Sequence, residues 1–545
     1  MSIRPVPGRR STRTAGLILV FLLLVAACSS GDDDSGSEGT GGDAPATNDG
    51  PSGEIVVAAP PPISELALPH LGQQANSIIW DLFNDYLLVA DPEAGELGPS
   101  LATEWEESED ELSWTFHLRD DVTFHGDWGK LTSADVKYTL DRRAENVSDG
   151  ELFSERIVSV DAPDELTVVV NLNAPWPDFG YVMSDASIRS SPIISKAYVE
   201  EVGDDAAAQE PVGSGPFEFV EKQEGSSITA RAFADYWGDP PGVEQVTLRW
   251  VPDESTRFAQ LQSGEAQVAV LSRRLAQSAE QDGYKEWLGS VPTSVWLVLG
   301  GQYLEDREGY DADLPWLDAQ VREALNLAID RDAIVDSIFV GQAEPLAVPL
   351  CRDGFPGWTD DIQPYDYDPA QAEDLLADAG YPDGFSVTLR SYVMSGVPEM
   401  PDMVSAVAEY WRRIGLDVNV ESIEFDQHRS EYLARKVSGI AFGMRNAPAT
   451  PADLLDQFRS QWTSEGAIGG LELPDLDAEV LAAEQTGDPG ERETAYTDIC
   501  SRISEENRAV PIASVNAVYV TSQDVAEWTI DASSALDIHT LRLAG

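Results

Sequence analysis

Cysteine, histidine and positive charge are scarce in this chain, and each scarcity removes a class of function. The three cysteines, Cys28, Cys351 and Cys500, lie too far apart for a Cys-x-x-Cys zinc or redox motif. The five histidines, His70, His117, His125, His428 and His539, include no His-Glu-x-x-His pair, so no hydrolytic zinc site is expected. Against 96 acidic residues stand only 35 basic ones, a net charge of −61, which repels a phosphate backbone and removes nucleic acid from the expected partners. Beyond residue 27 no apolar run is long enough to span a bilayer, and no short-period repeat is present. Catalytic motifs are missing too. Gly213-Ser214-Gly215-Pro216 leads into the strand-like Phe217-Glu218-Phe219-Val220 instead of a helix, so it reads as a tight turn and as neither a nucleophile elbow nor a phosphate loop. With 96 carboxylates, any acid/base spacing arises by chance. No enzyme activity, cofactor or metal is expected.

What is present begins at the amino end. Arg4, Arg9, Arg10 and Arg13 precede an apolar run from Ala15 to Ala27, the charge and length of a signal peptide over residues 1–27. The run ends in Val25-Ala26-Ala27-Cys28, a lipobox whose cysteine accepts a diacylglyceryl group. Residues 28–53 are almost wholly Ser, Gly, Asp, Glu, Thr and Pro, a composition unable to bury a core, and are expected to be a flexible tether. A lipidated Cys28 would hold the protein on the outer face of the cytoplasmic membrane. Removing the four leading arginines leaves 31 basic against 96 acidic groups, a net of −65. Cys351 and Cys500 then remain as an even pair in an oxidising compartment, either bonded or as two buried thiols.

From Glu54 onward helix and strand signals alternate as in an α/β fold. Asp368-Pro369 is an N-cap followed by an N1 proline, ahead of a helix that Gly380 stops, and Gly264 likewise stops a helix over Ser255 to Ser263. Between Asp318 and Ile329, the residues Val321, Ala324, Leu325, Ala328 and Ile329 fall on one helical face. Phe385–Leu389, Leu416–Ile423 and Ile440–Gly443 read as strands, separated by helical stretches at Asp402–Ile414 and Gln427–Lys436. This β-α-β-α-β order predicts a parallel sheet, and ligands bind beyond the carboxyl ends of such strands, where Met444, Arg445 and Asn446 fall. The alternation in Leu112–Leu118 and Leu166–Leu172 predicts half-exposed strands in a more antiparallel region before residue 210.

Several blocks together carry a family resemblance. They are Leu101-Ala102-Thr103-Glu104-Trp105, then Trp114 to His125, then Leu131 to Val136, then Val212-Gly213-Ser214-Gly215-Pro216-Phe217. Asp235-Tyr236-Trp237, Val251-Pro252-Asp253-Glu254-Ser255, Val321 to Arg331, and Tyr367-Asp368-Pro369 with Ala379-Gly380-Tyr381 follow in order. The series, over about residues 54 to 540, resembles the family 5 bacterial solute-binding proteins of the dipeptide- and oligopeptide-binding type. The resemblance implies a two-lobed, hinge-connected, type II periplasmic-binding-protein-like clamp. Lobe I would span 54–300, with an extra subdomain at about 96–210, lobe II would span 301–511, and 512–545 would return to lobe I. Hinges are expected near Val298–Tyr303 and Val510–Ser514. It further implies a monomer that captures a peptide or peptide-like solute and delivers it to the permease subunits of an ABC importer.

Family members pair the ligand's ammonium with an Asp in the loop after the β-α-β-α-β unit; here that position is Ala447, and Met444 stands where an aromatic is common. Arg445 instead offers a planar cation suited to a carboxylate or phosphate, or else serves one of the many acids. Trp296 is either a wall of the site or a core residue, and Asn446, Ser64 and Glu65 complete the candidate ligand contacts. The same fold could instead hold an oligosaccharide or other non-peptide solute, and a reading of another class is a ligand-sensing or chaperone-like lipoprotein.

Overall fold

The computed structural model describes residues 50–544 apart from 62–76, 92–95, 146–150, 188–190, 395, 449, 465, 467–470 and 531–537. Cys28, Ser64 and Glu65, together with the expected leader and most of the tether, lie outside the described residues.

Two mixed sheets organise the chain. The first has seven strands in the order Lys285–Leu288, Val518–Thr521, Val268–Val270, Glu54–Ala59, Gln245–Trp250, Ser227–Ala232 and Phe217–Gln223. Glu54–Ala59 runs parallel to both of its neighbours, and the remaining pairs are antiparallel. The second has six strands in the order Ala343–Pro345, Ala509–Val515, Thr293–Leu299, Ile440–Asn446, Ser386–Ser391 and Asp417–Ser422. Its last three strands are the parallel unit expected from the β-α-β-α-β pattern. Helices Met400–Arg413 and Phe425–Leu433 form the crossovers.

The chain passes between the sheets twice, at residues 289–292 and 516–517. Both passages lie outside the positions expected from sequence, so the lobe boundaries at 300/301 and 511/512 and the hinges near Val298–Tyr303 and Val510–Ser514 are corrected. Thr293–Leu299 pairs with second-sheet strands on both sides, and all seven of its residues are buried. Its apolar run Val295–Leu299 carries no alternation to reveal which sheet it joins. The two passages are tied together: Gly289 N donates to Ala517 O at 2.9 Å, and Asn516 Nδ2 donates to Gly289 O at 2.8 Å.

A four-stranded antiparallel sheet (Ala102–Glu107, Ser113–Leu118, Thr167–Leu172, Ile157–Asp164) lies in the stretch expected as an extra subdomain. Alternation points Trp114, Phe116, Leu118, Val168, Val170 and Leu172 into its own core. Separate cores fill the first sheet and the much larger second lobe.

Local signals explain the helix ends. Asp368 accepts from Gln371 N at 2.9 Å ahead of Pro369–Asp378, and Gly380 takes φ +95° just past it. The Gly213-Ser214-Gly215-Pro216 turn is a close-approach device. A Cβ on Gly213 would fall 1.9 Å from Phe83 O, and one on Gly215 would fall 2.6 Å from Asn84 N. His125 clamps the same turn: its Nε2 lies 2.9 Å from Gly215 O, while Gly213 N donates to its Nδ1 at 3.3 Å. Buried Asp85 accepts from Ser214 Oγ and Trp237 Nε1, both at 2.8 Å, and from the Tyr236 hydroxyl at 3.1 Å. The sequence blocks at 124–125, 212–217 and 235–237 are therefore one buried hydrogen-bonded knot.

Cys351 and Cys500 are joined by a disulfide, their Cα atoms 6.1 Å apart. It ties the segment after the edge strand Ala343–Pro345 to the long helix Pro489–Glu506.

Candidate ligand-binding seam

Strand Ile440–Asn446 lies in the middle of the second sheet, and its carboxyl end runs into the loop ahead of helix Pro451–Trp462. Past it, Ala447 packs with Ala90, Ala186 and Val291. Ala90 and Ala186 come from the subdomain side and Val291 from the first passage between sheets, so residue 447 lies at the seam between the two bodies. The next helix, Pro451–Trp462, starts with a capping box: Thr450 Oγ1 accepts from Asp453 N at 3.2 Å and the Asp453 carboxylate accepts from Thr450 N at 3.3 Å.

The register sets which candidate reaches the seam. Trp296 lies opposite Met444, Val295 opposite Arg445, and Ser294 opposite Asn446. Trp296 is 1% exposed and Met444 8% exposed, and both belong to the second-lobe core. Trp296 is therefore a core residue and leaves the list of ligand contacts; Met444 likewise packs inward. Successive residues of a strand point to opposite faces, which puts Arg445 on the other face of the sheet from Met444. Its guanidinium carbon lies 3.7 Å from where a Cβ on Gly396 would stand. It is also within electrostatic reach of Tyr519, on first-sheet strand Val518–Thr521, and burial pulls its pKa below the ordinary guanidinium value. Among the described residues its Nε is buried without a hydrogen-bond partner. Asn446 is a positioning residue: its Nδ2 donates to Gln457 Oε1 at 2.6 Å, tying the strand end to the following helix.

Residues that sequence reasoning missed converge on the same seam. Arg352, beside the disulfide, donates to Pro448 O at 3.1 Å and stacks over Phe355 at 4.1 Å. Its other terminal nitrogen, Nη1, is buried without a partner among the described residues, and burial lowers its pKa to about 10. Ion pairs bridge the subdomain to second-lobe helices. Arg492 meets both oxygens of Asp178 at 2.7 Å, Arg459 meets Glu155 at 2.8 Å, and Arg156 meets Glu484. Ser187 Oγ donates to Asp453 at 3.1 Å. Burial raises the carboxyl pKa of Asp178 and of Glu484, and the facing arginines oppose that rise. No sequence signal could have selected these partners, which lie about three hundred residues apart among 96 acids.

Among the described residues no group of three or more His, Cys, Asp or Glu side chains is arranged to hold a metal ion. His428 is a packing residue, its ring 4.6 Å from that of Tyr392 and 4.5 Å from that of Phe442.

Four similarities bear on the chain. Residues 96–466 match the family model described as bacterial extracellular solute-binding proteins, family 5. The dipeptide-binding protein of Escherichia coli is 31% identical over 369 residues, 63% of this chain and 66% of that one. Heme-binding protein A of Haemophilus influenzae is 26% identical over 447 residues, 77% of this chain and 79% of that one. Among solved structures, an ABC transporter-associated periplasmic binding protein of Helicobacter pylori, in complex with the peptide STSA, superposes with a TM-score of 0.78. It covers 91% of this chain and 98% of its own at 24% identity, a likeness of fold. That fold is the two-lobed clamp.

Proposed function

Because this chain belongs to the bacterial extracellular solute-binding proteins of family 5, we propose that it is the extracytoplasmic substrate-binding component of an ABC importer. It captures a peptide or peptide-like solute between its lobes and hands it to the membrane permease, with no chemistry of its own. The observation that carries this reading is the seam itself: Ala447, just past the strand end, meets Ala90 and Ala186 of the opposite body and Val291 in the first of the two passages between sheets found among the described residues. Two passages bonded to one another allow the bodies to rotate as a hinge while each keeps its own core. A solute that touches both walls favours the closed arrangement by its differential affinity for it.

The carboxylate that would meet a ligand's free ammonium is absent, since Ala447 sits in apolar contact. The cargo is therefore held by other groups, which keeps a non-peptide solute as the second reading, with a relative named for heme binding. Lipidation at Cys28 would keep the captor, a monomer, near its permease. Native mass spectrometry of the purified protein and a thermal-shift panel of di- to hexapeptides test the reading. A co-purified small solute, or a raised midpoint with panel members, is expected; no bound species and a flat response to peptides, oligosaccharides and tetrapyrroles would overturn it. Loss of the membrane-bound fraction in Cys28→Ala would accompany the anchor.

A further inference from the structure

We propose that the solute taken into this seam is a peptide-like acid with at least two anionic groups, held jointly by Arg445 and Arg352. The proposal rests on the capture reading above and narrows it to a substrate class.

Carboxylates outnumber cations by 61, and arginines on the seam and in the lobes use them: Arg156, Arg273, Arg390, Arg435 and Arg492 each hold an acid. Buried arginines without an acid are satisfied by carbonyl oxygens instead. Arg257 donates to three, at Val251, Pro252 and Val270, and Arg331 donates to Pro511, Asn326 and Ile329. Arg445 has neither kind of partner among the described residues, and Arg352 has one carbonyl and a buried nitrogen left over. A buried donor without an acceptor costs about 1–3 kcal/mol, more when charged. Two such forks in one seam of an acid-rich protein are groups kept open for acceptors from outside.

Their placement supports joint use. Arg352 reaches Pro448, and Arg445 lies three residues earlier, on the strand that ends just before Ala447 packs with Ala90, Ala186 and Val291. The neighbouring helix start is already occupied by its own acid, Asp453, which leaves the two guanidiniums as cations without an acid among the described residues. A planar fork matches a carboxylate bidentately. Burial lowers the pKa of both arginines, the direction expected of cations desolvated ahead of an anion. On the same loop, Ala447 offers nothing to an ammonium.

The test uses the intact protein and an N-acetylated tetrapeptide library of mixed composition, dialysed to equilibrium and read by mass spectrometry, as free acids and as the same library methyl-esterified. Free acids should be retained, members with two or more carboxylates about tenfold or more over monoacids, and the esters should not. Arg445→Gln and Arg352→Gln should each weaken retention of the diacids about tenfold or more. Because the ester comparison needs no variant, a failure of Arg352→Gln to fold leaves the test intact. Equal retention of acids and esters would overturn the acidic class and leave capture standing. Retention of neither library, nor of unblocked peptides, would overturn both.

Discussion

Arg273 and Glu399 face each other across the junction of the two bodies at 3.0 Å, their side chains 1% and 4% exposed. Arg273 N also donates to Glu399 Oε1 at 2.8 Å, and its guanidinium reaches the carbonyl of Asn516 in the second passage. One arginine thus joins the first-sheet helix Arg273–Gln281, the start of the second-lobe helix Met400–Arg413 and the second passage between sheets. Removing one partner of a buried pair strands the other charge, at a cost of about 3–5 kcal/mol, while replacing both with apolar side chains is close to neutral. Glu399→Ala should therefore lower unfolding stability in urea by about that amount, and the double variant Arg273→Met with Glu399→Leu should recover most of it. A single variant within about 1 kcal/mol of the parent would remove the pair from the hinge's support.

The pairs Asp178–Arg492 and Arg156–Glu484 span the seam and are nearly as buried. Their contribution exists only while the walls are together. Arg492→Met leaves Asp178 unpaired in the closed form and free to hydrate in an open one. The variant should show a larger radius of gyration by small-angle scattering and should bind any cargo more weakly, with each body still folding. An unchanged radius and unchanged affinity would make these pairs incidental to closure.

Asp85 gives a pH signature. Burial raises its pKa to about 6, against the three donors that pull it down. A carboxyl with a raised folded pKa binds more protons when folded, so its contribution favours the fold below about pH 4 and is lost as pH rises to about 6. His125 works in the other direction. Burial lowers its pKa to about 4, so its stabilising contribution is present above the unfolded value of about 6.5 and lost as pH falls to about 4. His428, lowered to about 3, adds to the acid loss. Asp85→Asn keeps acceptors for Ser214 and Trp237 while removing the titration. Relative to the parent it should gain stability between pH 4 and 7, by no more than about 3 kcal/mol. Asp85→Ala, which strands Trp237 Nε1, should be clearly less stable than Asp85→Asn at every pH. Parallel urea curves for parent and Asp85→Asn across that range would contradict the assignment.

The Cys351–Cys500 bridge closes a separation of 149 residues. Loss of that constraint on the unfolded chain corresponds to about 5 kcal/mol on the chain-entropy model. Cys351→Ala with Cys500→Ala should lower the thermal midpoint markedly, and thiol titration of the denatured, unreduced parent should find neither cysteine free. Two titratable thiols would refute the bridge.

How much was legible varied with how local the cause was. Asp368, Pro369 and Gly380 marked a helix because caps and stops act within one turn, and the alternation at 113–118 and 167–172 marked strands because one face is wet. Thr293–Leu299 was misassigned to the first lobe because a strand buried on both faces has no such alternation. Trp296 could not be divided between core and site, since an apolar side chain serves either equally well. Arg352 gave no signal at all: what places it in the seam is a carbonyl at Pro448, 96 residues away.

By itself, the order of residues determined the family, the parallel unit that ends at Asn446 and the absence of an acid at residue 447. These rest on short-range patterning and on blocks in series. Only the tertiary structure decided where the chain crosses between sheets, which acids answer which arginines, and that Arg445 and Arg352 have no acid among the described residues. In a chain with 96 carboxylates every cation has many possible partners in sequence. Folding selects among them by burial and distance, and so the open cations became visible only once the others had been matched.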